Sequence, residues 1–121
     1  MSVYIVNKGM GRSRGRNHVG SYKTFIELLK RLLEIQGVAV KVGGITPTRN
    51  RTVKQYTTII FVSSRMALEA RRLAGQHPEL TVVLFTANHR ITPIPGVHVE
   101  EKMFANSSEQ LQRVGRLLSN N

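Results

Sequence analysis

Residues 57–62 read Thr-Thr-Ile-Ile-Phe-Val, an uncharged run of β-branched and aromatic side chains. A run that is apolar at successive positions, rather than at alternate ones, is typical of a strand buried on both faces of a parallel sheet. On its carboxyl side, Ser63 or Ser64 can cap a helix that runs to about Gln76, where Pro78 prevents its continuation. The segment therefore predicts a central strand followed directly by a helix.

The same alternation of strand and helix extends outward in both directions from this segment. In the first helix, which opens at Ser21, apolar residues recur at helical spacing with charged residues between them, and Gly37 supplies its stop. Loops rich in glycine, proline or asparagine separate the elements at residues 7–20, 43–56 and 86–96. The other predicted strands are Val3–Val6, Val38–Val42, Leu80–Phe85 and the short edge strand Val97–Val99, and a last helix opens at Ser107 or Ser108 with Leu111, Val114, Leu117 and Leu118 on one face.

This order predicts an α/β fold: one Rossmann-like or flavodoxin-like domain over residues 1–121, with a mostly parallel sheet of about five strands and helices on both faces. A chain of 121 residues suits one domain rather than two. We expect the first strand near the centre of the sheet, beside the third.

Composition narrows the function further. The chain has 18 Lys and Arg against 7 acidic residues, a formal net charge of +11, which favours a polyanionic partner such as nucleic acid or a ribonucleoprotein. All seven acids are glutamate, and aspartate is absent. Receiver-type phosphorylation, the Walker B motif and protein-kinase catalysis each use an aspartate, so the sequence argues against all three.

Cysteine is absent, which excludes disulfides and suits a cytoplasmic location. No segment is typical of a signal peptide or membrane helix, and the histidines show no metal spacing, so we expect no membrane association, no metal and no cofactor.

The basic residues concentrate in the loops that follow predicted strands. Ten of the 18 lie there or in the adjoining helical turns, and no acid occurs between residues 1 and 26, 35 and 68, or 80 and 99. Ligands of parallel α/β sheets bind beyond the carboxyl ends of the strands, and a surface that is merely soluble mixes both signs of charge. We therefore expect a phosphate-binding edge from which the acids, including Glu100 and Glu101, are absent. The predicted binding residues are Lys8, Gly9, Gly11, Arg12, Arg14, Arg16, Ser21, Lys23, Arg49, Arg51, Lys54, Arg65, His89 and Arg90.

Two loop motifs approach known phosphate-binding patterns without matching them. Residues 9–15 read Gly-Met-Gly-Arg-Ser-Arg-Gly, which suits a glycine-rich phosphate loop, but the acid that a dinucleotide fingerprint expects after the second strand is replaced by Gly43 and Gly44. Residues 15–24 nearly spell a Walker A loop, with the Lys-Thr pair two positions late. Ser63 and Ser64 could form an anion site, but plain helix capping is the preferred interpretation.

Strand one, its glycine loop and the first helix together resemble the opening of a GT-B glycosyltransferase. The similarity is carried by residues 3–11 (Val-Tyr-Ile-Val-Asn-Lys-Gly-Met-Gly), by residues 32–40, and by the later runs Tyr56–Ser64 and Leu80–Thr86. In spacing, the chain is most similar to the acceptor-side half of phage DNA glucosyltransferases. The resemblance implies a DNA-facing, acceptor-binding domain, while the nucleotide-sugar half and any catalytic aspartate are missing.

Three hypotheses follow. The first is a non-catalytic protein that binds the phosphate backbone of DNA or RNA through the basic edge. The second is an enzyme, a small glycosyl or phosphoryl transferase in which Glu27 and His89 would be the acid–base candidates. The third is an interaction protein, viral in origin and acting in the cytoplasm of its host, that docks on an acidic partner. The oligomeric state is not predicted.

Overall fold

Five parallel strands form one sheet. The protein's structure is a computed structural model that describes residues 2–7, 16–44, 46–47, 50–86 and 93–101. The order across the sheet is β2-β1-β3-β4-β5, and every neighbouring pair is parallel. The predicted α/β fold is confirmed, in its flavodoxin-like order rather than the Rossmann order. The strands are β1 (Ser2–Val6), β2 (Ala39–Gly43), β3 (Thr58–Phe61), β4 (Thr81–Thr86) and β5 (Val97–Glu101).

The central position of β3 follows from its sequence. All four of its residues are buried, because β1 and β4 flank it and the sheet is covered on both faces there. β1 lies beside β3, as expected, with Val3 opposite Thr58 and Val6 opposite Phe61. β2, at one edge, alternates between exposed and half-buried residues, and β5 lies at the other edge, also as expected.

Two apolar layers hold the sheet between its helices. Helix α1 (Arg16–Ile35) covers one face, where Phe25, Ile26, Leu29 and Leu33 pack against the strands. The rings of Phe25 and Phe85 meet edge to face with their centroids 5.0 Å apart. The opposite face is covered by α2 (Asn50–Val53), a 3₁₀ turn (Ser64–Met66) and α3 (Ala67–Gln76).

Helix α1 ends where the sequence places its stop. Gly37 has a φ of +84°, a conformation that glycine adopts without steric cost. The Gly37 N–H donates to the Glu34 carbonyl at 3.0 Å and the Val38 N–H to the Leu33 carbonyl at 3.0 Å, which is the Schellman pattern. Val38 also packs on the core cluster that contains Leu33, so the cap directs the chain into β2.

Several predicted boundaries were wrong. α1 begins at Arg16, five residues before Ser21, so residues 16–20 are helical rather than loop. The predicted loop at residues 43–56 contains α2, and the third helical segment starts as a 3₁₀ turn before α3. β4 is shifted by one residue and β5 extends two residues further than predicted. The predicted last helix lies outside the described residues.

Candidate functional site

All five strands end on one edge of the sheet, here called the carboxyl edge and defined by Val6, Gly43, Phe61, Thr86 and Glu101. Because each crossover helix runs back across the sheet, α1 begins at this edge and ends near the start of β2. Its 20 residues span about 30 Å, whereas the five residues of β1 span about 17 Å. The first turns of α1 therefore extend beyond the carboxyl edge.

Between β1 and β2, the carboxyl edge is formed by backbone groups and by the side chains of Asn7 and Tyr4. The Asn7 N–H donates to the Gly43 carbonyl at 2.9 Å, and the Asn7 Oδ1 lies 3.4 Å from where a Gly44 side chain would begin. At Gly43, a Cβ would collide with the hydroxyl of Tyr4 and lie 2.9 Å from its Cζ. Tyr4 in turn meets Tyr56 edge to face at 5.2 Å. The end of β2 therefore carries a glycine because the Tyr4 side chain occupies the space.

The turn after β3 is capped by a serine. Ser63 is buried, its Oγ accepts the Arg65 N–H at 3.3 Å, and its carbonyl accepts the Met66 N–H at 3.0 Å. These bonds cap the 3₁₀ turn Ser64–Met66, whereas α3 begins after Met66 without a side-chain cap bond. Arg65 itself is exposed at the carboxyl edge.

Apart from Lys54, the predicted binding residues fall into three groups. Arg16, Ser21 and Lys23 lie in the first turns of α1, and Arg65 lies in the turn after β3, so these share the carboxyl edge. Arg51 lies in α2, within the crossover from β2 to β3. The remaining predictions lie outside the described residues: Lys8, Gly9, Gly11, Arg12, Arg14, Arg49, His89 and Arg90.

Lys54 is not at the carboxyl edge. It lines a pocket of about 300 Å³ at the opposite edge, together with Thr57, Thr58 and Thr81 at the amino ends of β3 and β4. The expectation for Lys54 was wrong because the chain between two parallel strands must return to the amino edge, and Lys54 stands at the end of that return. The same pocket is lined by Glu79, so it presents both signs of charge.

Acids do reach the carboxyl edge, contrary to expectation. Glu100 pairs with Phe85 and Glu101 with Thr86 at the carboxyl ends of β4 and β5. Glu69 lies in the first turn of α3 and accepts a hydrogen bond from the Thr46 hydroxyl. The sequence could have indicated the position of Glu100 and Glu101, because the last residues of a parallel β5 must lie at the carboxyl edge. Among the described acids, those at the carboxyl edge thus lie at the end of β5 and in the first turn of α3.

The titratable residues that the structure describes include no group of three histidines, cysteines or acids that could hold a metal ion. His77 is buried, with its Nδ1 3.5 Å from a Glu79 carboxylate oxygen and its carbonyl accepting the Leu80 N–H at 3.0 Å. His98 is exposed on β5. Over the same described part of the chain, no helix is long and apolar enough to cross a membrane.

Comparison with solved structures defines the fold. An orphan response regulator of H. pylori superimposes with a TM-score of 0.57 at 12% identity, covering 98% of this chain and 94% of the other. A response regulator from Thermotoga maritima gives a TM-score of 0.53 at 14% identity, covering 98% and 97%. This chain shares the flavodoxin-like fold of these two response regulators. No family model and no curated protein sequence matches the chain.

The expected kinship with GT-B glycosyltransferases and phage DNA glucosyltransferases was therefore wrong. The similarity rested on a strand, a glycine-rich loop and a helix, and this unit recurs in every doubly wound sheet. The strand order β2-β1-β3-β4-β5 and the structural neighbours are flavodoxin-like. The absence of aspartate also leaves this chain without the residue that receiver-type phosphorylation needs.

Proposed function

We propose that this protein binds the phosphate backbone of nucleic acid at the β2-β1-β3 side of the carboxyl edge, without catalysing a reaction on its own. The observation that carries the proposal is the start of α1. This helix projects beyond the sheet, begins with Arg16 and has no acid in its first turn. No acid precedes Glu27 anywhere in the sequence.

Electrostatics favour an anion at this helix start. The first N–H groups of a helix have no intrahelical partner, and with the macrodipole they create a partial positive charge there. Arg16 and Lys23 in α1 add full charges to it, and Arg65 adds another at the neighbouring turn. The proposal also includes Lys8, Arg12 and Arg14, which precede the helix, and Arg49, which follows β2.

The acids limit where a polyanion can lie. Glu100 and Glu101 close the β5 side, so a phosphate chain is repelled there and attracted toward β1 and β2. The binding path therefore crosses one half of the edge rather than its full width. A cytoplasmic location belongs to the proposal, since a cysteine-free chain suits a reducing compartment.

The test compares two triple variants that remove equal charge. Arg12→Ala, Arg14→Ala and Arg16→Ala remove cations before and at the start of α1, whereas Lys30→Ala, Arg31→Ala and Lys54→Ala remove three toward the amino edge. Each is measured by fluorescence anisotropy with double-stranded DNA, single-stranded DNA and RNA across a salt series. We expect the first variant to lose at least about tenfold in affinity and to lower the salt slope by roughly 3, near one unit per phosphate contact.

The control variant should retain most of the affinity, because its charges lie away from the proposed path. Both variants should have free energies of unfolding close to that of the wild type, because none of the substituted residues belongs to the described apolar core. Equal losses in the two variants would show that net charge alone drives binding, and would refute the site. Binding too weak to measure near physiological salt for all three nucleic acids would refute the function.

A further inference from the structure

The outward face of α3 carries an apolar residue where a solvated helix would carry a polar one. Leu68 is 60% exposed, although it lies on the opposite side of the helix from the buried residues Ala70, Leu73 and Ala74. At 100° per residue, Leu68 stands at the middle of this outward face. Burial of its side chain against a partner would remove apolar surface from water.

Gly75 lies on the same face, two turns after Leu68. Gly75 is the next-to-last residue of α3, and glycine has a lower helix propensity than alanine. Crowding within the chain does not require a glycine there, since nothing lies within 4 Å of where its Cβ would stand. Because glycine has no side chain, a second helix can approach the backbone of α3 closely beside Leu68.

The charges around Leu68 and Gly75 are of one sign. Arg71 and Arg72 are exposed on this face. The acid of α3, Glu69, lies at its flank, half-buried and bonded by the Thr46 hydroxyl. The face therefore combines the apolar side chain of Leu68, the exposed backbone at Gly75 and two cations.

We propose that the outward face of α3 docks an acidic amphipathic helix from a partner protein. The partner's apolar side chains would cover Leu68 and Gly75, and its carboxylates would meet Arg71 and Arg72. An exposed leucine at the centre of the face favours a protein over nucleic acid, because an aliphatic side chain offers neither a charge for a phosphate nor a ring on which a base can stack. This surface is separate from the start of α1.

The probe is a fluorescein-labelled peptide of leucine and glutamate, with leucines at the three- and four-residue spacing of an amphipathic helix. A second peptide keeps the glutamates and replaces leucine by serine. We expect the leucine peptide to bind the full chain, and Leu68→Ser to weaken it by about tenfold or more, as loss of an interface anchor does. Arg71→Ala with Arg72→Ala should weaken it by a similar factor and reduce its salt dependence.

Gly75→Gln is the variant that best separates a loss of peptide binding from a loss of stability. It should weaken peptide binding by about tenfold, because a long side chain keeps the second helix away, while raising the melting temperature through better helix propensity. Leu28→Ser, at another exposed leucine on α1, is the matched control and should bind like the wild type. Amide shifts in a titration followed by NMR should concentrate at residues 65–76.

Three results would overturn the proposal. The first is unchanged peptide affinity in Leu68→Ser or Gly75→Gln. The second is that the serine peptide binds as tightly as the leucine peptide, which would mean that charge alone explains the binding. The third is a loss of double-stranded DNA affinity in Leu68→Ser that matches its loss of peptide affinity. If DNA affinity instead depends on Arg12, Arg14 and Arg16 while peptide affinity depends on Leu68, the two surfaces are separate, and either can fail without the other.

Discussion

At the scale of single residues, the contact between Tyr4 and Gly43 shows how a core side chain dictates the chemistry of the carboxyl edge. In the sequence, Gly43 and Gly44 suggested only the start of a loop. In the structure, Gly43 is the last residue of β2 and opposes Val6, while the buried Tyr4 side chain fills the space above it. The glycine is explained by a residue 39 positions earlier, which no local pattern could indicate.

We expect Gly43→Ala to destabilise the protein by about 1–3 kcal/mol, because the new methyl group must displace the packed Tyr4 ring. Urea denaturation measures the free energy of unfolding. Tyr4→Phe removes the hydroxyl but not the ring, so in its background Gly43→Ala should cost less without becoming neutral. Additive effects of the two changes would mean that the Tyr4 hydroxyl is not the obstacle.

At the scale of elements, the strands and the end of α1 were predictable, and the crossovers were not. A continuous apolar run such as residues 57–62 indicates a strand that is buried on both faces, and therefore one that lies at the centre of the sheet. The start of α1 was placed five residues late because Gly20 signals a loop by propensity, and the 20-residue helix overrides that weak preference. Lys54 was assigned to the wrong edge because sequence order alone does not show where a crossover turns back.

The cap of α1 gives a prediction in which one chemical change has opposite effects at two positions. Gly37→Ala should lower the free energy of unfolding by about 1–2 kcal/mol, because its φ of +84° places a Cβ against the following carbonyl. Gly75→Ala, in the last turn of α3, should raise it by about 0.4–1 kcal/mol. Both are read from urea denaturation curves. A loss of stability in Gly75→Ala would mean that this glycine serves packing within the chain rather than a partner.

At the scale of the whole molecule, the fold and the composition point in different directions. The sheet order matches that of response regulators, and the two structural neighbours are response regulators. A chain without aspartate, however, lacks the residue that accepts the phosphate in receiver-type phosphorylation. Among the described residues, Arg16 and Lys23 lie in the first turns of α1, whereas Glu100 and Glu101 end β5. The fold was predictable from the sequence, whereas this asymmetry needed the strand order.

Incubation with acetyl phosphate and Mg²⁺ should therefore leave no covalent phosphate on the protein, as judged by mass spectrometry of the intact chain. The physical reason is that an acyl phosphate of the receiver type forms on an aspartate, and the sequence has none. A response regulator treated in parallel is the positive control. Appearance of a stable adduct on a glutamate or histidine would contradict the prediction and reopen a signalling role.

The central place of β1 has a consequence for biosynthesis. Its two neighbours, β2 and β3, lie 37 and 55 residues later in the chain, counted between paired positions. During translation, the uncharged run Val3–Val6 therefore leaves the ribosome long before either partner exists, in the form that favours intermolecular β-pairing. The cations that begin at Lys8 follow it at once, as gatekeeper residues do beside aggregation-prone strands. Charge in this position opposes intermolecular pairing of the strand during the interval in which its two partners are still being synthesised.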